Sequence, residues 1–128
     1  MNETEYKILI DSSAWIDYFF TANKKIKEII DSETQAIISS AISLHEVKKK
    51  LLREKYSEKD IAQTLEFMKT KSSIIEITEE ICEKSADDSI NLKLHTTDSL
   101  IYRTAIEKNA KILTLDNDFK NIKQAIVI

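Results

Sequence analysis

The chain has 128 residues, 42% hydrophobic and 32% charged, a size and balance that suit one globular domain over 1–128 and exclude a disordered chain. With neither Gly nor Pro, it has no glycine-rich phosphate loop and no dinucleotide fingerprint. A formal net charge of −3 excludes a nucleic-acid binder held by bulk charge, although a local basic rim around acidic residues stays open.

Lys7-Ile8-Leu9-Ile10 is an uninterrupted apolar run that reads as a strand buried on both faces, with Asp11 just past its C-terminal end. Open α/β sheets place their ligands at such ends. Ala14 to Thr21 reads as a short helix bearing Trp15, Ile16, Phe19 and Phe20. Together with Tyr18 these aromatics exceed what one short helix needs to cover a sheet, which leaves some for a partner surface. Lys24 to Ile30 is a second helix, striped by Ile26, Ile29 and Ile30, and Ala36-Ile37-Ile38 is a second strand, ended by Ser39 and Ser40.

A long helix follows from about Ser43 to Lys55. Leu44, Val47 and Leu51 form its buried seam, while Glu46, Lys49, Lys50 and Arg53 share another face. Ser57 is an N-cap for the next helix, whose seam is Ile61, Leu65 and Met68. Ile74 to Ile77 is a strand. Thr78 caps a helix with an inward stripe of Ile81, Cys82, Ser85, Ala86 and Ser89, which puts Glu83, Asp87 and Asp88 in solvent and Cys82 in the core. A polar link containing His95 leads to Thr97-Asp98 at the start of a helix with Ile101, Tyr102 and Ala105 inward. Asn109 ends that helix in the left-handed region. Ile112 to Leu115 is a fourth strand closing on Asp116-Asn117-Asp118-Phe119, and Ala125 to Ile128 is a terminal edge strand. Without glycine, positive-φ positions are expected largely at Asn and Asp. Strands and helices alternate throughout, as in a three-layer α/β/α domain with a mostly parallel, roughly five-stranded sheet.

Asp11 and Asp116 each end a strand, so in a parallel sheet with both strands central their carboxylates meet at one edge. Asp98 and Glu46 lie in the first turns of helices that begin near that edge. Taken singly, each acid has a plainer role: Asp11 as a helix cap, Glu46 as an i,i+4 partner of Lys50, Asp98 as a favourable charge on a helix dipole, Asp116 as a turn residue. Together they form a carboxylate cluster that needs a cation to offset its repulsion. Two histidines and one cysteine cannot supply the usual zinc set, whereas an all-oxygen cluster suits Mg²⁺ or Mn²⁺, ions that activate water in phosphodiester hydrolysis. Asp118 either supports that cluster or caps the turn before Phe119. Asp17, one turn beyond Ser13, is open between the same two kinds of role.

These residues carry a family resemblance. Ile-Asp11-Ser-Ser13, Glu46 in Ser-Leu-His-Glu-Val, Asp98 in Thr-Asp-Ser-Leu-Ile and Asp116 in Leu-Thr-Leu-Asp-Asn-Asp-Phe resemble, in order and spacing, the PIN-domain ribonucleases. The small single-domain toxins of VapBC toxin–antitoxin systems are the most similar. The resemblance implies a metal-dependent endoribonuclease, usually a homodimer, with Asp11, Glu46, Asp98 and Asp116 around Mg²⁺ or Mn²⁺ and Ser13 or Thr114 supporting them by hydrogen bonds. It also implies a protein antitoxin over the site. Asn109 stands where the family usually has Gly.

On that basis Lys48, Lys49, Lys50 and Arg53 are candidates to guide an RNA backbone, with Arg103 a lesser one, and neither histidine is assigned a catalytic role. The surplus aromatics would face a dimer partner or an antitoxin helix. The single cysteine rules out an internal disulfide and fits the cytoplasm. The apolar runs are too short to span a membrane, and no signal peptide is expected. Three alternatives remain: a housekeeping PIN nuclease in RNA maturation or decay, a phosphoacceptor domain using Asp11, and an inactive binding module. The phosphoacceptor lacks its acidic pair before Asp11, and the four acids count against the inactive module.

Overall fold

The β-branched and leucine run at the start of the chain can bury both of its faces, and it forms the middle of the sheet. A computed structural model describes residues 6–128, so the first five residues of the domain expected over 1–128 lie outside the described part. In chain order the elements are β1 (Lys7–Ile10), α1 (Ser12–Phe20), α2 (Lys24–Asp31), β2 (Ile37–Ser40), α3 (Ala41–Arg53) and α4 (Glu58–Lys71). They continue with β3 (Ser73–Ile75), α5 (Glu79–Leu92), α6 (Thr96–Glu107), β4 (Ala110–Thr114), a 3₁₀ turn at Asn117–Phe119, and β5 (Ala125–Val127).

The five strands run in the order β3-β2-β1-β4-β5, with every pairing parallel. Residues of β1 alternate between two cores. Ile8 and Ile10 pack with Trp15, Ile26, Ile30, Val47, Leu51, Ile61 and Met68 from α1 to α4, whereas Leu9 packs with Ile101, Ala105, Ile112 and Phe119. Helices α1 to α4 therefore cover one face and α6, backed by α5, the other. This is the expected three-layer α/β/α sheet, in the PIN-like arrangement, with β1 central.

Three features depart from the sequence expectation. First, β2 runs on through Ser39 and Ser40, both fully buried. A hydrogen-bond chain satisfies Ser39: Trp15 Nε1 donates to its Oγ (2.8 Å), Ser39 Oγ bonds Ser72 Oγ (2.8 Å), and Ser72 Oγ donates to the Met68 carbonyl (2.8 Å). Helix α3 in turn starts at Ala41, two residues before the expected Ser43, which puts Glu46 in its second turn instead of its first.

Second, α5 buries Ile81, Ser85 and Asp88, while Cys82 and Ala86 face solvent. Asp88 is not a solvated acid. It takes a bidentate pair from Arg103, with Nε to Oδ2 at 2.8 Å and Nη2 to Oδ1 at 2.7 Å, which also removes Arg103 from the candidates for RNA contact.

Third, among the described residues the positive-φ positions are Ala22, Lys55, Lys93 and Asn109 (φ 57°, 61°, 55° and 53°), so only one of these falls to Asn and none to Asp. Helix-terminal hydrogen bonds hold the others in place. Past α3, Lys55 N–H donates to the Leu52 carbonyl and Tyr56 N–H to the Leu51 carbonyl, each at 3.0 Å; past α5, Leu94 N–H donates to the Ser89 carbonyl at 3.1 Å. Each such residue bears a Cβ penalty that glycine would not. Lys93→Gly should therefore stabilise the protein by about 0.5–1 kcal/mol, read as a higher denaturation midpoint with unchanged slope. An unmoved midpoint would show that Lys93 carries no strain.

Candidate metal centre

Because β1 and β4 are adjacent and parallel, in the register Ile10 to Leu113, their C-terminal ends deliver Asp11 and Asp116 side by side. Asp11 N–H donates to the Leu113 carbonyl at 3.0 Å, which extends the ladder to the acid itself. Asp11 is also the N-cap of α1, but only its carbonyl serves the helix, accepting from Ala14 and Trp15 N–H. The carboxylate is free for other work.

That carboxylate is buried, and its Oδ2 accepts from Ser13 Oγ and Thr114 Oγ1, both at 2.8 Å. The two hydroxyls are themselves oriented. Leu115 N–H donates to Ser13 Oγ (3.0 Å) and Asp116 N–H to Thr114 Oγ1 (2.9 Å), which turns both hydroxyl protons towards Asp11. Burial raises the Asp11 pKa above the ordinary carboxylate value; the two hydroxyl bonds and the Ser12 N–H oppose the shift, and the Asp116 charge adds to it.

Asp98 enters from the first turn of α6. Asp116 caps the 3₁₀ turn, its Oδ1 accepting from Asp118 N–H at 2.9 Å. One carboxylate oxygen each from Asp98, Asp116 and Asp118 lie within 4.8 Å of one another. Asp118 thus belongs to the tightest grouping of acids, with His95 Nε2 at 3.9 Å from its Oδ2. The Asp98 pKa is pushed up to about 7, first by burial and then by the charges of Asp116, Asp11 and Asp118, with His95 opposing.

Glu46 reaches the same space from α3. The Ser12 hydroxyl donates to Glu46 Oε1 and also bonds Ser43 Oγ at 3.0 Å. Sequence reasoning had no role for Ser12; its position beside Asp11 was the only available sign. A cleft of about 490 Å³ is lined by Asp11, Glu46, Asp98 and Asp116, and also by Lys49, Lys50 and Arg53 of α3. Asp118 and Thr114 stand outside that lining. Lys48 faces a different groove, between α3 and α4, and Asp17 turns away to accept from Asn23 N–H at 2.9 Å in the α1–α2 turn.

The acids that meet here are all oxygen donors, and burial together with their mutual charge lifts the Asp98 pKa to about 7, so they fit a hard divalent cation such as Mg²⁺ or Mn²⁺. The raised pKa has a consequence for the metal-free protein. Between the ordinary carboxylate value and about 7, the folded state keeps a proton on Asp98 that the unfolded state has released. Stability is therefore lost as pH rises through that window and levels off above it. In chelator, the melting temperature of wild type relative to Asp98→Asn should fall from pH 4 to pH 7 and then stay flat. A constant difference would show that Asp98 titrates normally.

Comparison with known proteins bears on the fold and the family. The family model for the PIN domain matches residues 8–125. No curated protein sequence matches the chain. Among solved structures, a toxin–antitoxin complex from Klebsiella pneumoniae contains a chain similar at TM-score 0.80 and 22% identity, covering 94% of this chain and 97% of that one. A DNA-bound VapBC from Salmonella typhimurium is similar at TM-score 0.79 and 16% identity, covering 96% and 97%. A VapC from Mycobacterium tuberculosis, described as a sarcin–ricin loop cleaving toxin, is similar at TM-score 0.73 and 14% identity, covering 91% and 95%. At these identities the likeness is one of fold.

Proposed function

The chain belongs to the PIN domain family, and from that premise we propose that it is a metal-dependent endoribonuclease, the toxin of a toxin–antitoxin pair. The observation that carries this is the convergence of Asp11, Glu46, Asp98 and Asp116 on one cleft that also bears Lys49, Lys50 and Arg53. The structural relatives described as toxin–antitoxin complexes, and the one described as cleaving the sarcin–ricin loop, support it.

The chain's own residues divide the work. Ser13 and Thr114 lock the Asp11 carboxylate at the sheet edge, and Ser12 holds that of Glu46. Asp11, Glu46, Asp98 and Asp116 would hold Mg²⁺ or Mn²⁺, with Asp118 supporting them from the rim. When bound, such an ion neutralises the acids and activates water and the scissile phosphodiester. Lys49, Lys50 and Arg53 draw the phosphate backbone into the cleft.

No helix among the described residues is long and apolar enough to cross a membrane; the proposed toxin acts on RNA in the cytoplasm. An antitoxin covering the cleft and a homodimeric state complete the proposal. The test is incubation of purified protein with total RNA in Mn²⁺, Mg²⁺ or chelator, alongside controlled expression in cells. Metal-dependent cleavage with growth arrest, relieved by the product of an adjacent reading frame, supports the toxin. Cleavage without arrest points to an RNA-processing nuclease, and no cleavage in either metal overturns the proposal.

A further inference from the structure

The basic side of the cleft ends in an aromatic pair that none of this chemistry uses. Phe20, at the end of α1, is 39% exposed, and Tyr56, just past α3, is 42% exposed. Their rings meet edge to face, with centroids 5.6 Å apart and planes at 74°. Lys50, which lines the cleft, holds its Nζ 5.8 Å from the Phe20 ring centre. The pair stands outside the cleft lining and adjoins it through Lys50.

Both rings sit on fixed backbone. Phe20 lies one helical turn beyond Ile16, a residue that lines the cleft, on the same face of α1. Tyr56 is placed by the left-handed residue Lys55 and by its own N–H bond to the Leu51 carbonyl. Along α3, Glu46 and Arg53 are two turns apart, about 10 Å. One strip therefore presents acids first, then Lys49, Lys50 and Arg53, then two aromatic faces.

We propose that Phe20 and Tyr56 form a stacking platform for a nucleobase of single-stranded RNA, one or two nucleotides from the scissile phosphate. This rests on the nuclease proposed above. Exposed aromatics beside a basic groove are how sequence-tolerant single-strand binders grip their ligand, because every base offers a π-face; a base inside a duplex is not free to stack this way. Charge favours RNA over an apolar protein segment. Among the described residues neither Lys49 nor Arg53 has an ion-pair partner, and only Lys50 is partly engaged, with Glu54 at 3.0 Å. An apolar partner would desolvate those cations without compensation, whereas RNA phosphates pair with them.

The test uses an RNA that the wild type cleaves, in Mn²⁺, with steady-state kinetics. Phe20→Leu combined with Tyr56→Leu keeps apolar bulk but removes both rings, and should raise KM about 5- to 150-fold while kcat holds. Phe20→Tyr and Tyr56→Phe should behave as wild type, which a purely packing role would not distinguish from leucine. Substrates made abasic at successive positions around the cleavage site give a readout independent of any variant's folding. At one position the abasic substrate should cost the wild type the same factor, and cost the double leucine variant nothing further. Unchanged KM in the leucine variants, or no abasic position that matters to the wild type, overturns the platform and leaves the nuclease standing; the pair would then be a protein contact. A wild type that cleaves no RNA in either metal fails at the earlier step and takes the platform with it.

Discussion

Asp11→Asn is expected to lower metal-dependent RNA cleavage by about 10²- to 10⁴-fold without lowering the stability of the metal-free protein. The carboxylate lies at the tip of the central strand, buried and fixed by two hydroxyls that are themselves oriented by backbone N–H groups. Asparagine has the same shape, and its carbonyl oxygen can go on accepting from Ser13 and Thr114. What disappears is one negative charge from a cluster in which burial first, and the neighbouring acids after it, raise the pKa values of both Asp11 and Asp98. Charge repulsion in the apo protein falls, and so does the capacity to hold a cation. Thermal melts in chelator should put the variant level with or above wild type. Added Mn²⁺ should raise the wild-type melting temperature and leave the variant nearly unmoved, since only a ligand that binds the folded state shifts it. Retained cleavage would remove Asp11 from the chemistry, and a variant much less stable in chelator would make it a structural acid.

The second large effect concerns stability away from the cleft. Arg103→Met should destabilise the fold by about 3 kcal/mol, a fall of about 10 °C in melting temperature. Arg103 and Asp88 pair across α5 and α6 with side chains only 19% and 9% exposed, and removal of the guanidinium leaves a buried carboxylate with no countercharge. Adding Asp88→Leu should recover most of the loss, because an apolar pair of similar volume can replace a buried ion pair at little cost. A small loss for the single variant would mean that Asp88 rehydrates freely. Because α6 also carries Asp98, cleavage by the single variant well below its melting temperature should stay near wild type if the pair only clamps the helices.

The sequence made the sheet and the four converging acids legible for one reason: each rests on a local pattern. Ile8-Leu9-Ile10 and Ile112-Leu113 have no polar residue to solvate, so they had to be central strands, and Asp11, directly after the first, and Asp116, just past the end of the second, had to stand at the sheet edge. Features that depend on distant partners were hidden. Asp88 looks like a surface acid until Arg103, fifteen positions on, is folded against it. Ser39 looks like a strand end until Trp15 and Ser72 satisfy its hydroxyl. Ser12 carries no periodic signal, and its bond to Glu46 spans 34 positions. Asp118 is marked as a supporting acid by its place two residues after Asp116, but its closeness to Asp98 is a matter of tertiary packing. The misjudged face of α5 has the same origin: Cys82 and Ala86 favoured the wrong side, while the true stripe contains a charge.

The pairing of β1 with β4 has a consequence for biosynthesis. One edge of β1 finds its neighbour, β2, within the first forty residues, but the other waits for residues 110–113. As the chain is made from its N-terminus, Asp11 and Glu46 exist early on a half-built sheet, while Thr114, which fixes Asp11, and Asp116, which completes the cluster, arrive only with and after β4. No nascent fragment ending before β4 can assemble the cleft. If the chain is the nuclease proposed above, it stays inert on the ribosome until β4 has been made and paired with β1.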